Sequence, residues 1–204
     1  MLALLAAVDA SLVSLGLVDV FVALRWLRVH FITLGIITQV AFGVLPGLVA
    51  GLANKPRPPM KWSTWLSLNV GLVALVAGIF GVNKALILTG GTLVFVAAIL
   101  LFVQLWQIRG AGARTSLMFY LTGLFYLFVG IIIGTGLWLN WSPALYINVP
   151  LEAHIHANSW GFMSLVFAGL LVDFTPQITG RPLGSDKAVS LIYWGMTLGA
   201  FGLV

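Results

Sequence analysis

Long apolar runs, broken by short basic or proline- and glycine-rich stretches, organise the whole chain. A helix that crosses a bilayer needs about 20 mostly apolar residues. Seven runs approach or exceed that length, at 2–24, 29–53, 62–82, 85–108, 115–139, 153–174 and 188–204. The breaks are firm ones. Asn54-Lys55-Pro56-Arg57-Pro58-Pro59 cannot be helical throughout, because proline lacks a donor and clashes with the preceding turn. The stretches 109–114 and 180–184 are equally poor in helix formers, and Val82-Asn83-Lys84 leaves room only for a tight turn. The pattern predicts an all-α, polytopic transmembrane bundle of about seven spans, forming one domain over 1–204. The first run is the weakest, since it holds Asp9 and Asp19, and the last is short.

Composition agrees with that pattern. Hydrophobic residues make up 61% of the chain and charged ones only 7%, against about a quarter in soluble domains. The N-terminal run lacks a basic leader, so it does not read as a cleavable signal peptide. With no cysteine there are no disulfides, no thiolate metal sites and no Cys-x-x-Cys-His attachment of c-type haem. The net charge of +5 comes from cations placed singly or in pairs between apolar runs, which speaks against nucleic acid and for helix orientation. With alternating loops, one side carries Lys55, Arg57, Lys61, Arg109, Arg114, Arg181 and Lys187, and the other Arg25, Arg28 and Lys84. The positive-inside bias then predicts a multi-pass protein of the cytoplasmic (inner) membrane with its N-terminus in the cytoplasm.

The candidate chemistry is carried by three histidines, His30, His154 and His156, all at the starts of the second and sixth spans and all on the predicted outer side. The two spans look alike. His30-x4-Gly35-x7-Gly43 is matched by His156-x4-Gly161-x7-Gly169, a pseudo-repeat that would set His30 and His156 at equal depth, face to face. Two facing imidazoles suit the axial positions of a six-coordinate haem b, with glycines giving a flat macrocycle room and Arg25 and Arg28 near its anionic propionates. Filling both axial positions favours electron transfer over substrate binding. His154 lies two residues from His156, about 200° around the helix. A second haem, a copper ion or no role at all are its alternatives. Asp173 and Glu152 are expected at the interfaces, the tryptophans mainly as interfacial anchors, and Asp9 and Asp19 near the interfaces or in a proton path.

These residues resemble the haem-copper oxidase superfamily. Glu152-Ala-His-Ile-His-Ala-Asn-Ser-Trp-Gly161 is similar to its late helix with a His-x-His pair, and Arg25-Trp-Leu-Arg-Val-His30 to its second helix. The likeness is greatest to the cbb3-type and nitric-oxide-reductase branch and to small relatives such as the NnrS family, and it covers about fifty residues in two helices. It implies a low-spin haem on His30 and His156, a second haem on His154, and haems toward the outer face. The family's copper site takes three further histidines, which this chain does not have, so no complete catalytic centre is carried over.

The leading expectation is therefore a haem b-binding electron-transfer subunit of a respiratory or oxidoreductase complex. Its partners would be lipid, other membrane subunits, and an outer cytochrome c, cupredoxin or quinol. A copper-binding subunit using His154, His156 and His30 or Glu152, and a cofactor-free structural or assembly subunit, are the alternatives. A transporter coupled through Asp9 and Asp19 is a weaker one.

Overall fold

The computed structural model describes residues 2–17, 22–110, 114–181 and 183–204, and within them all regular structure is helical. In chain order the α-helices are α1 (Leu2–Ser14), α2 (Val22–Ile32), α3 (Gln39–Leu52), α4 (Trp62–Phe80), α5 (Lys84–Ile108), α6 (Arg114–Leu139), α7 (Pro150–His156), α8 (Ser164–Thr179) and α9 (Asp186–Leu203). A π-helical stretch, Thr33–Thr38, runs α2 into α3, and another, Ala157–Met163, runs α7 into α8. The nine segments thus make seven rods.

Five of these rods are long and apolar enough to cross a membrane: Trp26–Leu52, Trp62–Phe80, Lys84–Ile108, Thr115–Leu139 and Pro150–Thr179. The outermost two of the seven expected spans differ. The first was expected to run over 2–24, but α1 stops after 13 residues at Ser14 and gives way to a turn. At about 1.5 Å per residue it reaches only about 20 Å, short of a hydrocarbon core of about 30 Å. Asp19 lies outside the described residues, as does the side chain of Asp9. The last, α9, has the length but opens on Asp186 and Lys187 and is the less apolar for it. What stands is a multi-pass helical membrane protein.

Lipid tails are as apolar as leucine, so helices in a bilayer associate by close packing rather than by escape from water. The sequence supplies small residues where that closeness is needed. Between α4 and α5, a Cβ placed on Gly90 would stand 2.7 Å from the Leu75 nitrogen and 2.8 Å from the Gly71 oxygen. Backbone meets backbone there, and the turn joining the two helices is tight. The Asn83 side chain caps α5 by accepting from the Leu86 amide at 3.1 Å.

Helix α6 is the centre of the bundle. One side joins α3, α5 and α8 in a core of Leu45, Leu101, Tyr120, Leu124 and Val166. Another packs with α8 and α9 through Phe119, Tyr126, Leu165 and Tyr193. Polar ties reinforce the second contact: the Tyr126 hydroxyl donates to the Thr197 carbonyl at 2.7 Å, and Thr122 and Tyr193 share a hydrogen bond of 2.7 Å. Asp173 is only 8% exposed between α8 and α6, where it accepts from the Tyr120 hydroxyl at 2.5 Å. Glu152 lies exposed in the first turn of α7, where a carboxylate suits the helix dipole.

Candidate functional site

A cavity of about 660 Å³ opens among α2, α4, α5, α6 and α7. It lies at the end of the bundle where α4 hands over to α5 and α6 finishes, with Ile79, Ile87 and Trp138 in its wall. Its lining is largely aliphatic and aromatic, and two of the three histidines face it, His30 from α2 and His154 from α7.

The two imidazole rings have centres 6.0 Å apart and planes inclined by 18°. Each is held by its Nδ1. That of His30 meets the Trp26 carbonyl of its own helix at 2.8 Å, and that of His154 meets the Gly130 carbonyl of α6 at 2.8 Å. A carbonyl oxygen can only accept, so each Nδ1 carries a proton, and in the neutral ring each Nε2 keeps its lone pair. Among the described residues neither Nε2 has a hydrogen-bonding partner, and the two rings do not bond each other.

Neighbours shape both rings. Trp26 stacks on His30 with ring centres 4.1 Å apart and planes inclined by 13°. On the other side, a Cβ at Gly134 would strike the His154 ring, and one at Gly130 would strike the Asn158 amide. The Gly130-x3-Gly134 pair therefore makes room for a histidine and its asparagine, as well as for helix contact. Asn158 lies one turn beyond His154 and donates to its carbonyl at 2.8 Å.

The pairing differs from the one the glycine spacing predicts. His30 meets His154, and His156 does not enter the cavity. Two positions along a helix turn the side chain about 200°, so once His154 faces inward His156 must face out. It lies against α9, where its Nδ1 donates to the Leu203 carbonyl at 2.9 Å. The predicted glycines are not cavity residues either. A Cβ at Gly161 would meet the Tyr126 ring and one at Gly169 the Tyr120 ring, so both serve contact with α6. Gly43 has open space around it, and Gly35 lies inside the first π stretch without lining the cavity. Arg28 is half-buried two residues before His30 and is not part of the lining, while the Arg25 side chain lies outside the described residues.

The likeness of the two histidine-bearing rods survives in another register. Thr33 opens the first π stretch three residues after His30, and Ala157 opens the second three residues after His154. Such i→i+5 turns are rare and collect at functional sites.

As for metals, no group of three or more His, Cys, Asp or Glu side chains converges among the described residues. The copper site expected from His154, His156 and His30 or Glu152 does not assemble here, because His156 points the other way. No family model, curated protein or solved structure matches this chain.

Proposed function

We propose that the chain is a membrane electron-transfer protein that holds a b-type haem between His30 and His154. The observation that carries this reading is the paired imidazoles, each pinned at Nδ1 and each with a free Nε2. Metal–imidazole bonds run about 2.0–2.1 Å, and the two rings, 6.0 Å apart between centres and 18° from parallel, lie close enough for one metal-centred group to take both. Metal-bound histidines habitually donate their other ring N–H to a carbonyl, as both do here.

The surroundings fit a flat apolar group better than a bare ion. A cavity of about 660 Å³ is of the size that takes a cofactor, typically about 300–1,000 Å³. A bare ion would leave most of it empty. The absence of cysteine leaves coordination as the means of attachment, which is the b-type arrangement. When bound, such a haem supplies a one-electron couple with both axial positions filled. The chain itself would contribute the two ligands, their fixed proton positions and a largely apolar cavity.

The cation count favours a cavity near the outer face. Seven cations lie at or beside the opposite ends of the five spans and three at the cavity end, which supports a cytoplasmic membrane with the cavity toward the exterior. Since α1 falls short of a span, this count places the loops and not the first residue. Electron partners would be neighbouring membrane subunits and a carrier or quinol on that outer side.

An optical spectrum of the purified, haem-supplied protein tests the reading. Low-spin b-type bands are expected, lost in His30→Ala and His154→Ala and kept in His156→Ala. A wild-type protein with no Soret absorbance would overturn it, and loss in His156→Ala alone would restore the pairing drawn from the glycine spacing.

A further inference from the structure

The two ligands are not held alike. His154 is fixed by a neighbouring helix: its Nδ1 is tied to α6 at Gly130, its ring is fitted over Gly134, and Asn158 is braced beside it. Among the described residues His30 has no hydrogen bond to another helix, and its one side-chain hydrogen bond goes to the carbonyl four residues back in α2. A single hydrogen bond holds one edge of a ring and tolerates a broad range of angles, so by itself it does not set the plane of the ring. The Trp26 indole, stacked at 4.1 Å and within 13° of parallel, covers a whole face. A contact of that kind restrains the plane.

From this we infer that the Trp26 side chain is a positioning residue, which sets the plane of the His30 ring and so keeps it nearly parallel to His154. The inference rests on the paired-histidine reading above and adds to it a residue that touches neither the iron nor the electron partner. The backbone carbonyl of Trp26 stays in any substitution, so the Nδ1 bond and the free Nε2 survive when the indole is removed. The two contributions of the one residue can therefore be separated: main chain for the proton position, side chain for the plane.

The angle between two axial imidazole planes is read directly by electron paramagnetic resonance of oxidised low-spin haem. Near-parallel planes give a resolved rhombic spectrum, and crossed planes give a single strongly anisotropic feature. The 18° found between His30 and His154 predicts the rhombic form for the wild-type protein. Trp26→Leu keeps an apolar wall but takes away the flat face, and Trp26→Phe keeps a smaller face.

The test is the spectrum of all three proteins, purified with haem, beside their optical spectra. Trp26→Leu is expected to keep low-spin optical bands, showing both ligands in place, while its rhombic signal is lost to a broadened or strongly anisotropic one. Trp26→Phe is expected to recover the rhombic signal. An unchanged signal in Trp26→Leu would make the indole an interfacial anchor and overturn the inference. So would loss of low-spin haem from both variants with helical content intact, since Trp26 would then be shaping the cavity rather than aiming the ring. If the wild-type protein takes up no low-spin haem at all, it is the paired-histidine reading that fails.

Discussion

Glycine 134 stands where α6 passes closest to a histidine, and the ring of His154 occupies the space a side chain would take. A valine there has to displace either that ring or the helix that carries it. Gly134→Val is expected to lower stability by about 1–3 kcal/mol, the usual cost of overpacking, and to abolish the low-spin bands with it. Thermal melts in detergent, followed by helical ellipticity and by haem absorbance, would show both effects, and unchanged absorbance would remove Gly134 from the site. The sequence made the three histidines and their two helices plain, because a polar group inside an apolar run stands out. It did not reveal which of His154 and His156 turns inward. The repeat of glycines five and thirteen residues on favours His156, but those glycines serve contact with Tyr126 and Tyr120. What decides the matter is how α7 docks on Gly130 and Gly134 of α6, twenty or more residues before His154. Asn158, four residues after His154 and so on the same face, was the local signal that could have pointed to it.

At the scale of helices, the same logic separates glycines that matter from those that do not. Gly90→Ala would push a methyl against the backbone of Leu75 and Gly71, and backbone cannot give way as a side chain can. A loss of about 1–3 kcal/mol is expected, with α4 and α5 forced apart along one wall of the cavity. Gly195→Ala in α9, where nothing lies within 4 Å, should instead be neutral or stabilising by about 0.5–1 kcal/mol through helix propensity. Melting the two variants side by side checks the contrast, and equal losses would contradict it. Helix ends were legible where proline, glycine or asparagine punctuates the chain, as at Asn83 before α5. The π stretches were not. They keep the residue composition of an apolar helix, and only the change from i→i+4 to i→i+5 bonding distinguishes them. The early end of α1 at Ser14 was hidden for a similar reason, since the apolar run continues past it.

For the molecule as a whole, orientation in the membrane is the open quantity that the charge count addresses. The chain has no cysteine, so single cysteines can be introduced without a background. Tyr146 lies 91% exposed in the loop beside the cavity, and Lys55 lies exposed in a loop at the opposite end. Tyr146→Cys is expected to react with a membrane-impermeant thiol reagent on intact cells, and Lys55→Cys only after lysis. The reverse pattern would turn the protein over and place the cavity at the inner face.

Both histidine rings are tethered to main-chain oxygens, one from Trp26 and one from Gly130. Such oxygens neither ionise nor swing to another rotamer. A carboxylate in the same place would have linked ligand basicity to the acidity of the medium, and a side-chain amide could have let go. Anchored to peptide groups, the two rings keep their orientation without relying on a partner that titrates or rotates away.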